Sequence, residues 1–295
     1  MSLIRMASGG NSESVAMPWL PDGRTVVVPG RGEFFIRHFV HPDPQAPTLL
    51  LLHGWTANTD LQFFTAYQQM AEKYSFIGID HRGHGRGLRS SNHFSLEDCA
   101  DDAAAVLNSL GISQVVTVGY SMGGPISMLL CHRHRHLVRA MVLQATALEW
   151  RATRRERNHW RIFRLAAPVL RHLSSPRFVR ARVRKIISKQ SEVFEYLDWI
   201  VGEIRRNDPW TIGQAGRTLG RYDARSWVHE LNIPTVMLVT TKDRLVAPQK
   251  QQQLAKMLNA HTVLVDGDHI VTLVSPQSYS SATCSAIDHV LNSTP

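Results

Sequence analysis

The stretch Val115-Val116-Thr117-Val118-Gly119-Tyr120-Ser121-Met122-Gly123 joins an apolar run to a turn of small residues around one serine. A helix-like segment from Ile126 to His134 follows it. This order predicts a buried strand, a sharp turn and a helix, with the hydroxyl of Ser121 raised clear of the strand. Gly119 and Gly123 permit the strained backbone that such a turn needs. Ser121 is therefore a candidate nucleophile, although the five-residue pattern alone also occurs in ordinary structural turns.

An acid and a base follow Ser121 in the chain, each at the end of a predicted strand. Asp243 comes after the apolar run that begins at Pro234, and His269 comes after a second run and a short Asp-Gly-Asp turn. In a catalytic triad, His269 would accept the proton of Ser121 while Asp243 holds the imidazole in the required tautomer. The chain order Ser, Asp, His matches one of the known arrangements of this triad.

A fourth motif supplies candidate hydrogen-bond donors for a substrate oxygen. His53-Gly54-Trp55 follows the apolar run Leu49–Leu52, and the backbone N–H of Trp55 can lie opposite the backbone N–H of Met122. Two such donors would form an oxyanion hole. We expect His53 and Gly54 to support this loop rather than to react, and Gly119 and Gly123 to support the nucleophile turn.

Together these motifs resemble the α/β-hydrolase fold superfamily, in the esterase- and lipase-like branch with an inserted cap. The turn Asp80-His81-Arg82-Gly83-His84-Gly85 is similar to the Asp-x-Arg-Gly-x-Gly turn of that superfamily, and the likeness extends over about residues 23–293. The resemblance implies the fold and a hydrolase-type site that uses no cofactor. It leaves the substrate open, because one fold hosts many chemistries.

Three other carboxylates compete with Asp243 for the role of the triad acid. Glu149 is the second choice, because some members of this superfamily place the acid just after the strand Val138–Gln144. Asp266 and Asp268 lie close to His269 in sequence, where carboxylates usually cap turns. Asp243 remains the preferred acid.

Runs rich in Val, Leu and Ile without polar alternation indicate strands that are covered on both faces, and hence a parallel sheet flanked by helices. A Gly-rich turn between two β-rich runs near the start predicts one antiparallel pair. The fold class expected is α/β, a mostly parallel eight-stranded sheet with an inserted helical cap. The predicted strands are Arg24–Val28, Glu33–Val40, Thr48–His53, Ser75–Asp80, Val115–Tyr120, Val138–Gln144, Thr235–Thr240 and Thr262–Val265. Predicted helices include Leu61–Lys73, Leu96–Leu110, Pro248–Leu258 and Pro276–Leu291.

The strand pattern divides the chain into three parts. Residues 1–18 are predicted to be a flexible tail, and residues 19–146 and 229–295 the hydrolase core. Residues 147–228 are too many for a connecting loop in a compact domain, so a helical cap or lid is expected there.

The predicted cap carries the positive charge of the chain. Residues 151–189 contain 13 Lys or Arg and one acid, whereas the whole chain has a net charge of +9. Apolar residues alternate with these cations, which suits either an amphipathic helix with a solvated face or a helix that contacts anionic lipid headgroups. Nucleic acid is not an expected partner, because no nucleic-acid-binding module accompanies the charge.

Composition excludes several other classes. No apolar run has the length of a membrane span. Cys99, Cys131 and Cys284 are too few and too widely spaced for a disulfide framework, which favours a cytoplasmic location with membrane association as an alternative. The histidines His132, His134 and His136 alternate along a helix end, which scatters their side chains, so no metal site is expected.

Carboxylic ester hydrolysis is the function that the motifs favour, with a small-molecule ester or a lipid-like substrate. The related aspartate-nucleophile enzymes are excluded because that position is Ser121. Peracid or haloperoxidase-like chemistry, carbon–carbon hydrolysis and acyl transfer use the same triad and stay open, as does a non-catalytic protein that binds a hydrophobic ligand. Five tryptophans in or beside the cap indicate either an apolar pocket or packing between cap and core. These are Trp150, Trp160, Trp199, Trp210 and Trp227.

Overall fold

The protein is described by a computed structural model, in which strands between residues 22 and 265 form an eight-stranded sheet. The structure describes residues 15–154, 156–158, 160–162, 175–189 and 191–293. Eight strands pair in the order β1-β2-β4-β3-β5-β6-β7-β8. The first two strands are antiparallel, and every neighbouring pair from β4 to β8 is parallel. The predicted α/β fold with a mostly parallel sheet is confirmed.

The strands begin and end within a few residues of the predicted limits. Their bounds are β1 Asp22–Val28, β2 Gly32–Phe39, β3 Thr48–Leu52, β4 Ser75–Ile79, β5 Val115–Tyr120, β6 Val138–Gln144, β7 Thr235–Thr240 and β8 His261–Val265.

Both faces of the central strands are buried, as uninterrupted apolar runs predict. Leu50 and Leu52 of β3 belong to one hydrophobic cluster, whereas Leu49 and Leu51 belong to a second cluster across the sheet. Alternate side chains of a strand point to opposite faces, so one apolar run builds two cores.

The α-helices that we name are α1 Thr59–Phe63, α2 Tyr67–Ala71, α3 Leu96–Ser109, α4 Gly123–Arg133, α5 Pro176–Ile186, α6 Leu197–Arg205, α7 Pro209–Leu219, α8 Pro248–Met257, α9 Val271–Val274 and α10 Pro276–Asn292. Short 3₁₀ turns cover Arg135–Leu137, Glu192–Tyr196 and Val228–Glu230.

The prediction of one helix over Leu61–Lys73 is wrong. The chain forms two short helices, α1 and α2, separated by a turn at residues 64–66. The side chain of Asn58 caps α1, since its oxygen accepts the N–H of Leu61. Every residue of α1 is buried, so this segment is enclosed by tertiary contacts rather than laid on the surface by an amphipathic pattern.

The insertion predicted as a cap connects β6 to β7 and includes α5, α6 and α7. Residues 163–174 of this segment, and residues 1–14 of the predicted tail, lie outside the described residues. Residues 15–18 have no regular secondary structure, and Trp19 already packs edge-on against Phe39 of β2. The exact division into tail, core and cap stays a prediction.

Two further sequence features have a place in the fold. Cys99, Cys131 and Cys284 are buried free thiols. Among the residues that the structure describes, no helix has the length and apolarity needed to cross a membrane.

Candidate active site

The candidate residues lie at the carboxyl ends of parallel strands. Ser121 follows β5, Asp243 follows β7, His269 follows β8, and Trp55 follows β3. Because these strands run in one direction, their carboxyl ends meet at one edge of the sheet, where open α/β sheets bind ligands.

Ser121 occupies a strained turn between β5 and α4. Its φ angle is +52°, a value that non-glycine residues rarely adopt. The glycines on either side allow close backbone contact. A Cβ on Gly119 would lie 2.4 Å from the carbonyl oxygen of Gly123, and a Cβ on Gly123 would lie 2.0 Å from that of Leu52. The turn therefore requires glycine at both positions for steric reasons.

The structure brings Ser121, His269 and Asp243 into one hydrogen-bonded chain. The Oγ of Ser121 lies 3.0 Å from Nε2 of His269, and Nδ1 of His269 lies 2.8 Å from Oδ2 of Asp243. Both distances suit strong hydrogen bonds. The arrangement can transfer a proton from the serine to the histidine.

Asp243 is held as a carboxylate by its surroundings. Burial acts to raise its pKa, but hydrogen bonds from His269, the backbone N–H of Val246 and the hydroxyl of Thr240 together bring that pKa below its usual value. An ionised carboxylate only accepts hydrogen bonds, so Nδ1 of His269 carries the proton. In the neutral imidazole, Nε2 then carries no proton and faces the serine hydroxyl as an acceptor.

The competing carboxylates lie elsewhere. Oδ1 of Asp268 accepts the backbone N–H groups of His269 and Arg244, and Asp266 pairs with the exposed Lys242. Glu149 forms an ion pair with Lys250 at 3.0 Å. Asp243 is the carboxylate that the structure places beside Nδ1 of His269.

The loop after β3 packs directly against the nucleophile. A Cβ on Gly54 would lie 3.3 Å from the Cβ of Ser121, which shows how close the two turns are. The N–H of Ala57 donates to the carbonyl of Gly54, so residues 54–57 form a tight turn, with Thr56 at a φ of +66°. We call residues 54–58 the oxyanion loop. Met122, the second candidate donor, immediately precedes α4.

His53 connects the oxyanion loop to the turn that follows β4. Its Nδ1 donates to the carbonyl of Gly54, and its Nε2 accepts the backbone N–H of His81. Its ring packs 4.2 Å from that of His81 and 5.2 Å from that of His84, measured between centroids. Burial lowers the pKa of His81 to about 3 and that of His84 to about 4, and lowers the pKa of His53 well below its usual value. All three rings are therefore neutral at pH 7.

Other side chains contribute to the site without having been predicted. The hydroxyl of Tyr120 donates to the backbone carbonyl of His269, and Gln251 donates to Oδ2 of Asp243 at a longer distance of 3.3 Å. Tyr120 stands next to Ser121 in the motif, which is a signal that sequence could have offered. Gln251 has no such signal, because its contact depends on how α8 packs.

The histidine series on α4 diverges, as its spacing predicts. His132 packs its ring against Trp227, whereas Nε2 of His134 lies 2.8 Å from the carboxylate of Asp101. His136 is exposed in the 3₁₀ turn that follows.

The fold and the motifs agree with a known family. A family model described as the alpha/beta hydrolase fold matches residues 47–174. The chain has the α/β-hydrolase fold. The region that the family model matches contains the oxyanion loop and Ser121, whereas Asp243 and His269 lie beyond it.

Two curated relatives show how far the sequence likeness extends. An AB hydrolase superfamily protein of Bacillus subtilis is 30% identical over 100 residues, which cover 34% of this chain and 36% of the relative. A pimeloyl-[acyl-carrier protein] methyl ester esterase of Neisseria meningitidis is 25% identical over 222 residues, covering 73% of this chain and 82% of the relative. The α/β-hydrolase thus spans about a third of the first relative and most of the second.

The solved structures share the fold over nearly the whole chain. An esterase from Exiguobacterium antarcticum superposes with a TM-score of 0.76 at 16% identity, covering 91% of this chain and 99% of that structure. At this identity the likeness concerns the fold, and the chemistry must be argued from the side chains of this chain.

Proposed function

We propose that this α/β-hydrolase cleaves carboxylic esters through a covalent acyl-enzyme formed on Ser121. The observation that carries the proposal is the unbroken hydrogen-bonded chain from the serine hydroxyl through His269 to the buried carboxylate of Asp243. A serine hydroxyl is a weak nucleophile unless a neighbouring base removes its proton, and this chain provides the base. The name of the Neisseria relative, an ester hydrolase, supports the same reaction class.

In the first half of the reaction, Oγ of Ser121 attacks the ester carbonyl carbon while Nε2 of His269 takes the hydroxyl proton. The carbonyl electrons move to the oxygen, where the N–H groups of Trp55 and Met122 stabilise the negative charge. The intermediate then expels the alcohol, which receives its proton from His269. Water repeats the sequence in the second half and releases the acid.

An apolar acyl or alkyl group is the substrate portion that the site favours. The indole ring of Trp55 lies 5.9 Å from that of the buried Trp160, measured between centroids. Trp55 directly follows Gly54, the residue that packs on Ser121, so this aromatic pair adjoins the loop beside which an ester would bind. Trp210 is 64% exposed and lies on α7, so it contributes no such wall.

Hydrolysis of p-nitrophenyl esters from acetate to palmitate by wild type and by Ser121→Ala tests the proposal. We expect Ser121→Ala to lower kcat by about 10⁴-fold or more, because loss of the nucleophile removes the covalent route. A fluorophosphonate probe should label the wild type and leave the variant unlabelled. Equal hydrolysis by the two proteins would refute the role of Ser121.

Peracid formation, carbon–carbon hydrolysis and acyl transfer are the alternatives on the same triad. They are separated by adding hydrogen peroxide, a vinylogous diketone or a competing alcohol to the same assay. A non-catalytic ligand-binding protein would turn over none of these substrates, although its serine could still react with the probe.

The helix α5 supports a separate proposal about the partner of the cap, an anionic lipid surface. The helix contains no acid, and of its residues only Val183 is buried. Phe178 and Ile186 are 38% and 40% exposed, beside cations that attract anionic headgroups. The exposed cations are Arg177, Arg180, Arg182, Arg184 and Lys185.

Sedimentation with vesicles tests this partner. We expect binding to phosphatidylglycerol-containing vesicles and little binding to pure phosphatidylcholine. Binding should be lost in about 0.5 M salt, because the short Debye length at this ionic strength screens the attraction between the cations and the headgroups. Changing Arg177, Arg182 and Arg184 to Gln should abolish it. The charge-matched control changes Arg24, Arg221 and Lys256 to Gln, and an equal loss in that control would indicate a general charge effect instead.

A further inference from the structure

Asn207 joins the segment after α6 to two loops of the hydrolase core. Its Nδ2 donates to the carbonyl of Thr56 at 2.7 Å, and its Oδ1 accepts the N–H of Gly85 at 2.8 Å. Thr56 directly follows Trp55 in the oxyanion loop. We propose that Asn207 is a positioning residue that holds the oxyanion loop, and with it the N–H of Trp55, in the geometry needed for catalysis. The inference rests on the proposed function, since it assigns that N–H as an oxyanion donor.

The chemistry of the two partners requires a side-chain amide. The carbonyl of Thr56 can only accept a hydrogen bond, whereas the N–H of Gly85 can only donate one. An amide offers one acceptor and one donor on the same rigid group, so asparagine satisfies both loops at once. Aspartate, which is nearly the same size, would keep the contact to Gly85 and lose the one to Thr56.

Thr56 is the position where the loop needs support. Its φ of +66° is in the left-handed region, where a β-branched residue is an outlier. Such residues are strained and persist only when their surroundings hold them. The hydrogen bond from Asn207 acts on the carbonyl of this strained residue.

The rest of the oxyanion loop is held at both ends. Gly54 packs on Ser121, and at the other end Nδ2 of Asn58 donates to Glu203 at 2.7 Å. The indole N–H of Trp55 donates to the carbonyl of Ile212 in α7. With its ends fixed, a relaxation at Thr56 must be absorbed by the torsions of its neighbours, including Trp55. A shift of about 1 Å in a reacting group can cost about 10²-fold in rate.

Two variants of Asn207 test the inference. In Asn207→Ala and in Asn207→Asp we expect kcat for the best p-nitrophenyl ester to fall about 10-fold or more, up to the 10²- to 10³-fold cost of losing one oxyanion donor. KM should change by less than about 2-fold, because the oxyanion forms only in the transition state. A role limited to anchoring the cap through Gly85 would leave Asn207→Asp close to wild type.

Gln214→Ala is the matched control. Gln214 also ties the insertion to the core, since its Oε1 accepts the N–H of Phe94 at 2.7 Å, and Phe94 lies outside the oxyanion loop. We expect this variant to keep most of the wild-type kcat. Equal losses of kcat in Gln214→Ala and the Asn207 variants would overturn the inference.

Rescue at Thr56 gives an independent check. Glycine adopts a positive φ without a steric penalty, so Thr56→Gly should recover about 3-fold or more of the kcat lost in Asn207→Ala. Failure of glycine to recover activity would contradict the strain mechanism.

Amide hydrogen exchange separates this inference from the proposed function. The N–H of Ala57, which donates to Gly54, should exchange faster in both Asn207 variants than in wild type and in Gln214→Ala. If Ser121→Ala retained full activity, the proposed function would fail, and exchange would still decide whether Asn207 holds the loop. Unchanged exchange at Ala57 in both variants would overturn the inference.

Discussion

The helices α5 and α6 belong to the same insertion but are held in opposite ways. Helix α6 buries an acid, Glu203, which pairs with Arg86 of the core at 2.8 Å and accepts a hydrogen bond from Asn58. Helix α5 buries Val183 alone, and its ion pair between Arg180 and Asp198 lies on the surface. A buried charge with several partners fixes a helix on the core, whereas a few apolar contacts leave it easily displaced.

The two helices therefore have different consequences for the candidate site. Helix α6 lies against the oxyanion loop, where a shift would disturb the reaction that we propose. The α5 side presents cations and two apolar side chains outward, where displacement costs the site little. Three measurements of the free energy of unfolding test this contrast between α5 and α6.

The largest effect is expected at Glu203. Glu203→Ala leaves the amide of Asn58 without its buried partner and removes one of the two buried carboxylates that pair with Arg86, so we expect the free energy of unfolding to fall by about 3–5 kcal/mol. Glu203→Gln should lose less, because it retains an acceptor. Urea unfolding followed by the tryptophan fluorescence of the protein measures both changes. A loss in Glu203→Ala below about 1 kcal/mol would remove the contrast.

The second effect concerns His84, whose ring packs against that of His53 beside the oxyanion loop. His84 has a folded pKa of about 4, below the unfolded value of about 6.5, so the unfolded chain binds more protons between these values. The contribution of His84 to the free energy of unfolding is therefore complete above about pH 6.5, and it is lost as the pH falls toward about 4. The total is about 3 kcal/mol, at about 1.4 kcal/mol per pH unit.

His84→Asn isolates this histidine from its neighbours. Asp80, whose pKa burial raises to about 7, opposes the trend, because its protonation in the folded state favours folding as pH falls. Asp80 is present in both proteins, so the difference between their pH slopes reports His84. We expect the slope of stability against pH from 6.5 to 4 to be shallower in the variant. Parallel slopes would show that the buried ring is not neutral as its surroundings indicate.

The smallest effect is expected on α5. Arg180→Ala should change the free energy of unfolding by less than about 1 kcal/mol, because both partners of its ion pair are about half exposed. The same urea titration measures it. A loss as large as that in Glu203→Ala would mean that α5 is anchored as firmly as α6.

Some parts of the fold followed directly from the sequence. Runs such as Val138–Gln144 have no polar alternation, and they form strands buried on both faces. Other apolar runs end shortly before Ser121, Asp243 and His269, and parallel strands bring such ends to one edge of the sheet. The prediction of one helix over Leu61–Lys73 was wrong because every residue of α1 is buried. The periodicity of apolar residues therefore gave no signal for the residue at which α1 ends.

The strands, the chain order of the candidate site residues and the strained turn at Ser121 follow from the sequence, because they depend on local composition and on residues a few positions apart. The contacts of Asn207 with Thr56 and of Glu203 with Arg86 follow instead from the tertiary structure. Each of those contacts joins residues more than 100 positions apart, and a hydrogen bond at about 2.8 Å depends on the packing of whole helices. Local patterns do not encode such distances, so the link between cap and oxyanion loop emerges only from the folded chain.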